Sequence, residues 1–340
     1  MNTDVKARES YEQIRNAFGI FVDTWKTKNT SALDAVADKE IINYMSVVKA
    51  YNCGSQHSLY GVKAFVEEIP ETDFFNYRIC NFTCRIHGNH ASTFAYVVCE
   101  TGRKIDNVIK SFEFTAMLAC QWKQKESGWM ITENRMDVHD GGGDLEDFRE
   151  KWYFDEPRAR WYQGVHHPCI FGELDSPWNL VKDNELQLSE EEQILDTYAK
   201  YAFGVDFLAF DHIDDVFSED VLFVTPPWGC LDKRNRLDAT KFHRKKDRYW
   251  VHPAVPSRIV FDGDLAYVDL FRMSGHRQRT HGYVYTDENT DIEHCCARFN
   301  MVFRKENGIW KIYRWNGYLG IIEVGRYQDD PYGSGFIDIE

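Results

Sequence analysis

The sequence predicts an α+β chain in which one domain is written twice, and three observations carry that prediction. Residues of like kind recur at a fixed offset of 180: Ile14 with Ile194, Leu33 with Ile213, Ile41 with Val221 and Gly128 with Gly308. The wording recurs with the spacing, since "EQI" at 12–14 returns at 192–194 and "KESGWMI" at 125–131 returns as "KENGIWKI" at 305–312 with one residue inserted. Each half then opens on helical periodicity and closes on a run of alternating strands, the order expected of α+β architecture.

The elements follow in matching order. Ser10-x-x-Gln13 and Ser189-x-x-Glu192 read as capping boxes that open amphipathic helices. The first helix gathers Ile14, Phe18, Phe21 and Trp25 on one face, and the second gathers Ile194, Tyr198, Tyr201 and Val205. Short second helices are expected near 31–37 and 211–217, with Ser31 and Asp211 as their N-caps. The strands "EIINYMSV" and "DVLFVTP" come next, then the helices "GVKAFVEEI" and "DATKFHRK". Long strands complete each half, and their turns are marked by His-Gly-Asn, Asp-Gly-Asp, Ser-Gly and Asn-Gly. "DGGGD" at 140–144 reads as a hinge, because it lacks the strand-to-helix setting of a dinucleotide loop. The expected organisation is a first repeat over 1–143, a packed segment over 144–188, a second repeat over 189–328 and a tail over 329–340. The middle segment holds Trp152, Tyr153, Phe154, Trp161, Tyr162, Phe171 and Trp178, too aromatic for a free linker.

Composition narrows the partners. A net charge of −14 argues against nucleic acid or an anionic membrane as the main partner. No apolar run approaches a membrane span, and "MNTDVKARES" lacks a signal-peptide pattern, so a cytoplasmic location is expected. Nine cysteines without CxxC pairs read as buried thiols of a reducing compartment. The 12 histidines include no His-x-x-x-His pair with a matching carboxylate, so no metal site is expected, and no cofactor.

The order helix, helix, strand, helix and long strands closing on a Gly-x-Trp-x-Ile pattern resembles the SnoaL-like branch of the nuclear transport factor 2-like superfamily. That resemblance implies two tandem cone-shaped domains, each a curved, mostly antiparallel sheet wrapped around helices, with an apolar pocket. The second half further resembles the group of bile-acid 7α-dehydratase, scytalone dehydratase and dehydrochlorinase. In that group an aspartate ends the first helix, a tyrosine or lysine often stands five residues before it, and a histidine follows some four dozen residues later. Tyr201, Asp206 and His252 occupy those positions here, with His252 lying 46 residues after Asp206. In the first half Phe21 and Lys26 replace Tyr201 and Asp206, and His252 falls near Ile79.

Asp206 attracts attention without the resemblance as well. It sits among Phe203, Val205, Phe207, Leu208 and Phe210 at the end of a helix, where a carboxylate opposes the helix dipole. A hydrogen-donating imidazole would compensate it. The expected chemistry is a cofactor-independent lyase of the dehydratase type on an apolar, ring-containing small molecule, with double-bond isomerisation as its nearest variant. Asp206 would orient His252 as general base, and Tyr201 would act as proton donor. Trp228 after the first strand, His276 after the strand 266–273 and Arg314 on the last strand are the expected substrate-binding residues; Gly320 stands where those relatives carry an arginine, for which Arg314 or Arg326 would substitute. The competing readings are a non-catalytic small-molecule carrier and a protein-interaction scaffold. A homodimer through sheet faces, or a monomer acting as an internal pseudo-dimer, completes the expectation.

Overall fold

The first helix, α1, is longer than its expected cap allows. In the computed structural model, which describes residues 3–47, 58–152, 169–225, 229–246, 251–273 and 293–324, α1 runs from Thr3 to Thr27. Ser10 therefore lies inside it and is buried, which corrects the reading of Ser10 as a cap. The preceding turns contain strong helix formers and no breaker, so nothing stops the helix from starting upstream. Its opposite number, α5 (Glu190–Asp206), does begin at a capping box. Glu192 N donates to Ser189 Oγ at 3.2 Å and Ser189 N donates to Glu192 Oε2 at 2.8 Å.

The chain divides into two compact units, Met1–Gln187 and Leu188–Glu340. In the first, α1 leads to a 3-10 helix (Thr30–Ala35), β1 (Ala37–Met45), α2 (Leu59–Glu68), β2 (Phe74–His87), β3 (His90–Ile105), β4 (Val108–Lys125) and β5 (Gly128–Gly143). Then come α3 (Asp147–Lys151), a 3-10 turn and α4 (Pro177–Leu180). In the second, α5 leads to α6 (Phe210–Val216), β6 (Phe217–Thr225), β7 (Gly229–Leu231), α7 (Lys233–Lys246), β8 (Ala254–Asp262), β9 (Leu265–Met273), β10 (Glu293–Glu306) and β11 (Ile309–Val324). The sheets are ordered β1-β5-β4-β3-β2 and β7-β6-β11-β10-β9-β8. In each, the first long strand runs parallel to the last and the other pairings are antiparallel.

The repeat reaches the backbone itself. Lys28 and Leu208, 180 apart, both take left-handed conformations after the first helix, with φ of 59° and 61°. The last strands bulge at matching points, leaving Thr132 unopposed in the first unit and Tyr313 in the second. A bulge bends and twists its strand, so both sheets curve for the same reason. The second short helices also begin in step, at Thr30 and Phe210, with N-caps Asn29 and Ala209. That corrects Ser31 and Asp211 as caps. Asp211 lies in the first turn of α6, where its charge favours the helix dipole.

The glycines at 141–143 end β5 and are no hinge. A Cβ on Gly143 would lie 2.2 Å from the Ser111 carbonyl oxygen, and one on Gly141 would lie 2.8 Å from that of Glu113. Only glycine lets the two strands approach this closely.

The chain after β5 packs on the first unit. Phe148 stacks on Phe112 at 4.6 Å, and Trp152 meets Phe65 at 5.2 Å and Phe114 at 5.0 Å, all buried. Further along, Arg85 donates to the carbonyls of Val181 and Lys182, and Glu185 N donates to the Ile86 carbonyl. Among the described cysteines Cys80, Cys84, Cys99 and Cys120 are buried, and burial pushes the Cys80 thiol up to about 12. Cys230 is exposed, so the reading of all thiols as buried does not extend to it. No helix among the described residues is long and apolar enough to cross a membrane.

Candidate active site

Asp206 is the last residue of α5, and its side chain is 1% exposed. A carboxylate so placed lacks water and faces the negative end of a helix, so it needs donors. His252 supplies two. Its backbone N–H donates to Asp206 Oδ2 at 2.9 Å, and its ring Nδ1 meets Asp206 Oδ1 at 2.7 Å. One residue therefore occupies both oxygens, one through the main chain and one through the imidazole.

The short stretch that carries His252 is pinned on both sides. Arg272, buried on β9, donates from Nε to the Val251 carbonyl at 2.8 Å. Met273 N donates to the Pro253 carbonyl at the same distance, 2.8 Å. With Asp206 ionised its oxygens only accept, which would place the hydrogen on Nδ1 and make Nε2 the basic nitrogen. The His252 side chain keeps 9% exposure against 1% for the carboxylate.

Tyr201 lies on α5 before Asp206 and is also buried. Its ring meets His252 edge-on, with centroids 6.0 Å apart and planes at 82°. On its other sides stand Trp315 at 4.8 Å and Phe217 at 5.7 Å, and Trp315 extends the aromatic wall to Phe299 at 4.9 Å and Phe223 at 5.9 Å. Period-two alternation on β11 and β6 pairs Trp315 with Phe223 and puts both on this side of the sheet.

The same alternation removes Arg314 from the site. Arg314 pairs with Leu222 on the other face, where it donates to the Asp220 carbonyl and to Tyr313 Oη. The structure thus brings Tyr201, Asp206 and His252 together and leaves Arg314 apart, while Trp228 and His276 lie outside the described residues.

Two arginines at the site gave no sequence signal. Arg272 reads as one charge in an apolar strand. Arg236, on the charged helix α7, reaches the Tyr201 hydroxyl, to which Nη2 donates at 3.1 Å. The one hint is Thr240, one turn on along α7, which is buried on a charged helix.

Among the described residues the first unit has no equivalent carboxylate–imidazole pair. Counting back from the hairpins His87–His90 and Asp262–Leu265, with one bulge in each outer strand, places Tyr77 opposite His252 and corrects the alignment with Ile79. The Tyr77 hydroxyl meets Asp23 Oδ1 at 3.3 Å, and burial, followed by the Asp23 charge, pushes the phenol up to about 12. A helix-to-strand tie survives there without an imidazole.

The class of the second unit is set by this arrangement, an α+β fold with a bulged sheet and a buried carboxylate–imidazole pair at the end of its first helix. Residues 186–316 match the family model of the SnoaL-like domain. No curated protein matches the chain. Similar solved structures include a Kribbella flavida protein, at 12% identity, with 42% of this chain and 99% of that one covered and a TM-score of 0.34. A nuclear transport factor 2-like protein with a cystatin-like fold from Novosphingobium aromaticivorans is 13% identical, with 41% and 87% covered and a TM-score of 0.31. A nuclear transport factor 2-like protein from Cytophaga hutchinsonii is 17% identical, with 39% and 99% covered and a TM-score of 0.27. Likenesses at this level carry no argument about activity.

Proposed function

We propose that the second unit is a cofactor-independent lyase that removes water from an apolar, ring-containing small molecule. The observation that carries this is the double grip of Asp206 on His252. A carboxylate bonded to Nδ1 holds the imidazole in one tautomer and stabilises the imidazolium that forms when Nε2 takes a proton. The added backbone bond fixes where the ring stands, so Nε2 is aimed before a substrate arrives.

In this reading His252 Nε2 removes a proton from the carbon beside a carbonyl. The electron pair forms the new double bond as the carbon–oxygen bond to the neighbouring hydroxyl breaks. Tyr201, at 6.0 Å from the imidazole between ring centroids, gives its proton to the departing oxygen. The aromatic wall of Trp315, Phe223, Phe217 and Phe299 favours an apolar ring over a charged ligand.

The test is a panel of cyclic β-hydroxyketones followed by mass spectrometry for loss of water. The wild-type protein consumes a member of the panel, and Asp206→Asn and His252→Ala each lower its kcat by about 10²–10⁴-fold with unchanged circular dichroism. Variants that turn over at the wild-type rate would sink the reading. So would a ligand that every variant binds equally and returns unaltered, which is carrier behaviour.

A further inference from the structure

Tyr201 is 1% exposed, so water cannot serve both halves of its hydroxyl. Arg236 serves one half. From α7 its side chain passes over the Phe223 ring, with the guanidinium carbon 5.2 Å from the ring centroid, and Nη2 donates to Tyr201 Oη at 3.1 Å. A guanidinium has only donors. The phenol oxygen must therefore accept from it, and the phenol hydrogen must go elsewhere. Among the described residues no acceptor takes that hydrogen. A buried donor left unmade is expensive, and a site keeps one where a ligand completes the bond.

We propose that Arg236 is a positioning residue that makes Tyr201 a directed proton donor, built for an oxygen of the ligand that gains negative charge, whether a ketone becoming an enolate or a departing hydroxide. The assignment rests on the acid–base reading of the site and adds the group that sets the direction of its acid. The balance closes. His252 gains the carbon-bound proton, Tyr201 loses its own to the leaving oxygen, and water departs. Arg236 holds the resulting phenolate until the proton taken up by His252 is returned to it, which restores both groups. A guanidinium suits this better than an ammonium, because its plane rests on an aromatic face and its fork stays in register with the phenol oxygen.

The probe is 4-nitrophenolate, an oxyanion whose visible absorption reports hydrogen bonding. Wild-type protein is expected to bind it with a shift of the band to shorter wavelength. Arg236→Met and Tyr201→Phe should each weaken binding by about tenfold, the loss expected for one charge-assisted hydrogen bond. The double variant should be no weaker than either single one, and Arg236→Lys should recover part of the loss. Arg314→Met, on the other face of the sheet, should bind the probe as wild type does, and because binding of the probe needs no turnover it is read separately from the elimination reaction. The proposal is overturned if wild type shows neither binding nor band shift, or if Arg236→Met binds as wild type does. It is overturned equally if the Arg236→Met loss persists undiminished in the Tyr201→Phe background, for then the arginine touches the anion directly.

Discussion

Where the second unit sets Phe223 against Trp315, the first unit sets Asn43 against Asn134, and the two pairs occupy corresponding places on the first and last long strands. In the first unit Asn134 Nδ2 donates to Asn43 Oδ1 at 2.7 Å, with both residues fully buried. In the second the rings lie 5.9 Å apart and continue to Tyr201. Backbone features around these pairs coincide: the bulge in the last strand, the left-handed residue after the first helix and, β7 apart, the strand order. The difference lies in what fills each interior. Trp152 and Phe148, supplied by the chain that follows β5, pack against Phe65, Phe112 and Phe114 in the first unit. One fold thus accommodates added aromatic rings from the following chain in one copy and a carboxylate–imidazole–phenol group in the other. Backbone and chemistry vary independently because the bulges and pairings depend on main-chain hydrogen bonds, whereas the site depends on a handful of side chains.

The comparison breaks most visibly at Trp152. Trp152→Ala should cost about 3–5 kcal/mol, read by denaturant unfolding as the loss of stability of the first unit alone. The elimination reaction proposed for the second unit should be untouched. An unchanged unfolding curve would mean that Trp152 is no part of the first unit's core. A smaller effect sharpens the contrast between the two opening helices. Ser189→Ala should cost about 1 kcal/mol, whereas Ser10→Ala, in mid-helix, brings no capping loss. Equal losses at the two serines would contradict the helix starts described above.

The smallest effect concerns pH. Burial first, and then the Lys200 charge, hold His212 down from 6.5 to about 4, against the opposing pull of Asp215 and Asp211. The unfolded chain binds this proton below 6.5 and the folded chain only near 4, so stability is complete above 6.5 and falls as pH drops through that window. Ala32 stands at the corresponding place in the first unit, which has no such group there. His212→Gln should flatten the dependence of the second unit's stability between pH 4 and 6.5. A slope that survives the substitution would assign it to other groups.

Much of the fold was legible. The offset of 180, the Ser189 capping box and the helical face of Ile194, Tyr198 and Tyr201 are written in local pattern, and each appears in the structure. The approach of Asp206 to His252 was also legible, since a carboxylate in an apolar helix end demands a partner and the resemblance to the dehydratase group nominated one. Other readings failed for identifiable reasons. Ser10 has the residues of a cap but no breaker before it. The glycines after Asp140 look like a hinge because sequence does not show the neighbouring strand they must approach. Arg314 was misplaced by one step of strand alternation, enough to turn a side chain to the opposite face. Arg236 was missed because a long side chain on a charged helix looks solvated until the element it packs against is known.

The amino-acid order by itself determined the duplication, the periodic helices and strands, and the one helix end where an acid sits among apolar neighbours. These are short-range matters, decided by propensity, capping and the alternation of side chains within a few residues. Only the tertiary structure decided that Trp152 fills one interior, that a guanidinium meets the Tyr201 oxygen, and that both oxygens of Asp206 close on a single histidine. Those contacts join segments distant in sequence, and register, bulges and packing fix which groups finally meet.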